Sequence, residues 1–416
     1  MFWIEIYSRV AWSAKRIARR LVFELAARRL PLALRTPAGR RFAELGSLVE
    51  GCLLDRITRD PEVGRGIASQ LLNVIYNCDR ITYNEPGTAD AYALLHFLDR
   101  YHRFQLIFDL LSRRKLMPLK HRVVDILDVG TGPGPSMFAA SDFYSERFGY
   151  VDVSQAYQES RRPRFKIDYV ERSTEFRDWL HYFTEYANSR APTGRYWCVP
   201  YHHGTFSDFS AIEFDQRTAS WDQDEDGDSV RTIYIRRNRF DLIVFSNFLT
   251  KRHQVMRFKK ELRACARFLR RDGVLLVVGA TDASRKYREV YDAISGIILE
   301  RGYGSRKFTA WCKRVNLEPY VLSYRSDDPY GEQVKQHLRA VYSVLQEKYH
   351  EVVPEKAARI LGASIAPGYN RTKAWQMLAF RKIVRTRPQV KRSAGGRQRS
   401  SPGRPVLPPG RNDWRH

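Results

Sequence analysis

The residues best placed to do chemistry lie where an apolar run stops. Val123-Val-Asp-Ile-Leu-Asp128-Val is a short buried-strand pattern, and it runs directly into Gly130-Thr-Gly132-Pro-Gly134-Pro-Ser. A helical pattern follows, with Met137, Phe138, Ala140 and Phe143 at apolar positions. Glycines at alternate positions let the backbone turn tightly and approach a ligand without Cβ clashes. The free N–H groups of the helix they open favour electronegative atoms. The spacing excludes two other loops. A dinucleotide loop reads G-x-G-x-x-G, and Pro135 takes the place of its third glycine. A Walker A loop needs Gly-Lys-Ser/Thr, which is absent. Tyr150-Val-Asp152-Val-Ser154 reads as a second strand, with Asp152 18 residues past Gly134. A carboxylate at such a strand end can accept from two ribose hydroxyls.

This pattern resembles the first two motifs of class I S-adenosylmethionine (SAM) methyltransferases. The resemblance covers about residues 123–384. It implies an α/β, Rossmann-like, doubly wound and mostly parallel sheet, with SAM as cofactor. Asp128 would lie near the cofactor's amino-acid portion, Gly130, Gly132 and Gly134 would form its cradle, and Asp152 would hold its ribose. Phe240-Asp-Leu-Ile-Val-Phe-Ser-Asn247 matches the family's fourth strand, with Asn247 as a cofactor contact, and Asp272-Gly273-Val-Leu-Leu-Val-Val its fifth. The third strand, expected over Tyr196–Tyr201, leads to His203-Gly204-Thr205-Phe206. There the family often has Gly-Asp meeting the adenine amino group. Thr205 and Phe206 stand in that place, and Asp208 is a substitute acid.

No catalytic residue is evident. Methyl transfer from a sulfonium mainly needs positioning of two reactants, with a base only for weak nucleophiles. Ser246-Asn-Phe-Leu249 lacks the Asn/Asp-Pro-Pro-Tyr of exocyclic-amine methyltransferases. Cys265 sits on a core-facing helix position, as a structural thiol would. Asp222-Gln-Asp-Glu-Asp226-Gly-Asp228 matches the start of an EF-hand loop, but position 12 is Ile233, so a solvated turn is expected. His202-His203 has no further ligands at metal spacing. No metal is expected.

Strands alternating with helices position these motifs. Helices are expected over 43–118 as a cap, over 174–189, over 253–270 and near 331–349; late strands are expected at Tyr320–Ser323 and Trp375–Ile383. The expected division is 1–42 as a basic amphipathic helix or targeting segment, 43–118 as helical cap, 119–384 as the cofactor domain with insertions near 155–195 and 207–238, and 385–416 as a basic disordered tail.

Charge separates these parts. The 416 residues carry a formal charge of +25, and residues 1–42 and 385–416 each carry +8 of it. A basic surface attracts polyanions such as RNA, DNA or anionic lipid. The tail reads as an RNA-binding arm or as a solvated tail with no specific partner. The Arg-rich, acid-poor start reads as a mitochondrial import segment, with a cytoplasmic protein as the alternative. Five cysteines at least 26 residues apart argue against zinc ribbons and disulfide scaffolds. No run of 18 apolar residues suggests a transmembrane helix.

A narrower resemblance rests on Tyr83, Ala91-Tyr92, Tyr101 and Phe104 ahead of the glycine loop, with Ser246-Asn-Phe-Leu-Thr250 behind it. The chain is similar there to the methyltransferase-like family of the small mitochondrial ribosomal subunit and its bacterial relatives. That resemblance implies RNA and small-subunit assembly proteins as partners. Several members carry a four-cysteine iron–sulfur site, which this chain lacks. Three functions are therefore open: a SAM-dependent RNA methyltransferase, a non-catalytic RNA-binding assembly factor on the same fold, and a methyltransferase for a small molecule or protein.

Overall fold

The computed structural model describes residues 31–77, 83–119, 123–148, 165–190, 201–202, 219–223, 229–233, 240–281, 285–300, 303–304 and 308–386. After a 3-10 turn at Leu32–Arg35 come helices α1 (Pro37–Arg59) and α2 (Pro61–Asn77). Thr36 caps α1 by accepting from the Gly39 amide at 3.1 Å. Next come α3 (Thr88–Tyr92), a π turn (Ala93–Phe97) and α4 (Leu98–Arg113). The central elements are β1 (Val124–Val129), α5 (Pro135–Phe148), β2 (Phe165–Val170), α6 (Thr174–Arg190) and β3 (Tyr201–His202). A hairpin, β4 (Ala219–Gln223) and β5 (Ser229–Ile233), stands off the main sheet. Then follow β6 (Phe240–Ser246), α7 (Arg252–Arg257), α8 (Lys259–Phe268), β7 (Leu269–Gly279) and α9 (Arg285–Leu299). The chain continues with β8 (Tyr303–Gly304), β9 (Phe308–Val315), β10 (Val321–Arg325), α10 (Pro329–Tyr349), α11 (Glu355–Ile365) and β11 (Thr372–Thr386).

The main sheet runs β3-β2-β1-β6-β7-β11-β9-β8, with β10 also on β11. Strands β3, β2, β1, β6 and β7 are mutually parallel, and β11 returns antiparallel to β7. Alternation puts Ile126, Val244, Leu276, Val278 and Met377 on one face, beneath α1–α6, α10 and α11. Leu127, Ile243, Phe245, Leu275 and Val277 lie on the other, beneath α7–α9. All seven residues of β6 are buried, the signature of a parallel strand covered on both sides. The arrangement is the doubly wound Rossmann-like sheet expected from the sequence. Among the described residues no helix is long and apolar enough to cross a membrane.

Several elements differ from the expectations. The strand beside β1 is 165–170; the stretch 150–154, expected there, lies outside the described residues. β1 is paired on its other edge with β6, so both of its neighbours are accounted for. The stretch near 155–195 is therefore no mere insertion: it supplies β2 and α6, whose Trp179 and Phe183 are fully buried. Of the expected third strand only Tyr201 lies within the described residues, paired in β3 with Asp168 of β2. The helix expected over 253–270 breaks at Phe258, whose φ of −94° and ψ of 24° leave the helical region. β7 then starts at Leu269, five residues before the expected strand. Helix α1 crosses the expected boundary at 42, and its Arg41 is a core residue. Arg41 pairs with Glu44 and Asp142, and Tyr101 donates to Asp142 at 2.6 Å. The cap is continuous with the sheet's own core and also packs on α10. The acid-rich Asp222–Asp228 stretch joins β4 to β5, with 224–228 outside the described residues.

Candidate cofactor site at the carboxyl ends of the central strands

Strand order reverses between β1 and β6, and a doubly wound sheet opens a ligand crevice at that point, beyond the carboxyl ends of the strands. The glycine loop lies there. Gly130, Gly132 and Gly134 have φ of 67°, 56° and 90°, left-handed values that disfavour any side chain. The loop is tied at each step. Gly130 N donates to Val170 O at 2.8 Å, and Gly134 N to Thr131 O at 3.0 Å. The Gly134 carbonyl then accepts from Phe138 N at 2.9 Å, inside α5. A Cβ on Gly134 would meet Leu180 at 2.6 Å, and one on Gly130 the Phe248 ring at 2.4 Å. Among the described residues, a Cβ on Gly132 would find nothing closer than Phe176 at 3.9 Å, so of the three glycines this one faces space there.

Asp128, the last but one residue of β1, is 1% exposed. One carboxylate oxygen accepts from the hydroxyls of Thr131, at 2.6 Å, and Ser136. The other, Oδ1, is buried and has no hydrogen-bond partner among the described residues. Burial pushes this carboxyl up to about 6, against the lowering effect of the two hydroxyls. An orphaned buried acceptor is costly unless a ligand supplies its donor.

The acid at the end of the strand beside β1 is Glu171. Its carboxylate accepts from Gly132 N at 2.8 Å and from Ser173 N at 2.9 Å. Burial raises its pKa, and those amides oppose the rise. Glu171 thus stands at the position expected of Asp152, which lies outside the described residues, as do Thr205 and Phe206. Asn247 is described: it sits at the carboxyl end of β6 with φ 50°, and its N–H donates to Val278 O at 2.8 Å. A pocket on that side is lined by Asn247, Phe248, Thr250, Gly279, Tyr287 and Tyr291.

The structure therefore brings Asp128, the three glycines and Asn247 to one crevice and adds Glu171, Phe248 and an aromatic group. Tyr83 and Tyr92 pack on Phe176 at 5.0 and 5.4 Å between ring centroids, beside Gly132. His96 stands edge-on to Tyr92 at 4.9 Å. Burial lowers its pKa to about 4, so its imidazole is neutral at pH 7. Glu171 was legible in principle, because Phe165-Lys-Ile-Asp-Tyr alternates apolar and polar residues. Phe248 and Phe176 had no local signal. Cys265 is fully buried on α8, and burial raises its thiol pKa, as suits a structural thiol.

Strand order and glycine loop together define a doubly wound, Rossmann-like fold with a ligand crevice at the switch point. Among solved structures, the chain is similar to the [4+2]-cyclase SpnF, at 14% identity and TM-score 0.34, over 67% of this chain and 80% of that one. It is similar to a putative sarcosine dimethylglycine methyltransferase from Galdieria sulphuraria, at 16% identity and TM-score 0.32, over 66% and 83%. It is also similar to coclaurine N-methyltransferase bound to N-methylheliamine and SAH, at 12% identity and TM-score 0.33, over 82% and 95%. At such scores the fold class rests on the strand order and the loop. No protein-family model and no curated protein matches the chain.

Proposed function

We propose that the protein is a SAM-dependent methyltransferase acting on RNA. The observation that carries the cofactor reading is the open cradle over Gly132, flanked by two carboxylates, one of which holds an orphaned buried oxygen. The residues present fit SAM: Glu171 would accept from the ribose hydroxyls, and Asp128 Oδ1 would accept a donor from the amino-acid portion. Gly132 leaves room for the cofactor where a side chain would stand. SAM would supply an electrophilic methyl group. Phe248, packed on Gly130, and the Tyr83–Tyr92–Phe176 group exclude water on either side of the loop.

RNA as the acceptor is supported by the +25 charge and by the narrower resemblance, which points to small ribosomal subunit assembly or rRNA methylation in the mitochondrion. A non-catalytic assembly factor is the second reading. It is favoured by Ser246–Thr250, where the chain leaves β6 without a single ionisable side chain. Calorimetric titration with SAM tests the cofactor, and absence of binding to the folded wild-type protein sinks both the cofactor and the enzyme. Nucleotide mapping of RNA from cells carrying Gly132→Asp separates the readings. Loss of one methyl mark supports the enzyme; an unchanged inventory with normal particle assembly supports the scaffold.

A further inference from the structure

The charge of the folded body is concentrated in one place. Outside residues 1–42 and 385–416 the chain carries a formal +9, and Lys251–Arg271 supplies +8 of it through nine lysines and arginines against one acid, Glu261. This segment forms α7, α8 and the start of β7. Its apolar residues Val255, Leu262, Cys265 and Leu269 are in the core beneath the sheet. Its basic residues are left outside: Arg252, His253, Arg257, Lys260 and Arg267 are exposed. Some of its cations are already engaged. Lys259 and Arg263 share Glu300, Arg270 binds Asp125 and Asp241, and Arg271 faces Asp272. Arg252, Arg257, Lys260 and Arg267 take part in none of these pairs. The adjacent α9 carries Arg288 as well as the acids Glu289 and Asp292 at exposed positions.

Position gives the patch its meaning. α7 begins six residues after Ser246, the end of β6, and between them Phe248 lies against Gly130 of the cofactor loop. We propose that the exposed cations of Lys251–Arg271 are a docking face for the phosphate backbone of an RNA strand that runs along α8 and α7, from the amino ends of β1 and β6, where Arg270 meets Asp125 and Asp241, to the crevice at their carboxyl ends. The proposal rests on the RNA reading above and adds where the RNA lies. A membrane surface fits less well. An interfacial helix must insert its apolar face, and here those faces are in the core, with Met256, 48% exposed, the large apolar side chain left outside on α7.

The test uses the full chain with R252Q, R257Q, K260Q and R267Q combined, and the double variants R252Q/R257Q and K260Q/R267Q in case the quadruple one fails to fold. Binding to a single-stranded RNA of about 20 nucleotides is measured against salt. Each lost phosphate contact lowers the log–log slope by about 0.7, so the quadruple variant should lose about 3 and each double variant about 1.4. SAM affinity, measured by calorimetry, should not change. A wild-type protein that binds no RNA overturns the RNA reading and the docking face together. A wild type that binds RNA, with variants of equal slope, overturns the face alone. The face also falls if the variants keep their RNA slope and lose binding only to phosphatidylserine vesicles.

Discussion

At the scale of single residues, two acids compete for one role. Asp152 stands at the family's usual spacing from the glycine loop, whereas Glu171 ends the strand that pairs with β1. Glu171→Gln keeps an acceptor and loses the charge, so it should weaken SAM binding by about 1.5–3 kcal/mol, as expected for charge-assisted hydrogen bonds. Asp152→Ala should leave the affinity unchanged. Calorimetry giving the reverse order would return the ribose to Asp152. Asp128 makes a different prediction. Its carboxyl is raised to about 6 in the folded chain, so between about pH 4 and 6 the native state holds a proton that the unfolded chain has released. Its contribution is therefore favourable below about pH 4 and is lost as pH rises through about 6. Asp128→Asn should remove this component, making the variant more stable than wild type at pH 7 and a poorer SAM binder. Melting curves at pH 4–7 with the same pH dependence in both proteins would refute it.

At the scale of elements, the loop's glycines are unequal. All three carry left-handed φ, which costs a side chain about 1–2 kcal/mol. Gly130 and Gly134 add collisions with Phe248 and Leu180, while Gly132 faces space. Gly132→Asp should thus fold, with a stability loss near that strain alone, and fail to bind SAM, its side chain occupying the cradle beside Glu171. Gly130→Ala should lose more stability than Gly132→Ala in urea titrations. Equal losses would mean that Phe248 yields freely.

Across the whole molecule, the N-terminal helices and the sheet share one core, and a buried ion cluster joins them. Arg41 of α1 answers both Glu44 and Asp142, the latter on the helix that the glycine loop opens. Burying two carboxylates without their cation is expensive. Arg41→Met should destabilise the protein by about 3–5 kcal/mol, read by denaturant unfolding. A loss below 1 kcal/mol would show that the acids are protonated or hydrated instead.

Which parts were legible follows from distance along the chain. The glycine loop, with its neighbouring strand and helix, is contiguous, so residue type and spacing alone determine its turn and its taste for electronegative ligands. The runs of β6 and β7 are legible for the same reason, because strands buried on both faces read as unbroken apolar stretches. Pairing is not local. Local pattern points to 150–154 as the strand beside β1, whereas 165–170 completes its hydrogen bonds and buries Ile167 and Tyr169 against the helical layer. The same limit hid Phe248 over Gly130 and the packing of α10 on α1. It also hid the patch on α7 and α8: the positive residues are plain in the sequence, but only burial of the opposite helix faces decides which of them reach solvent.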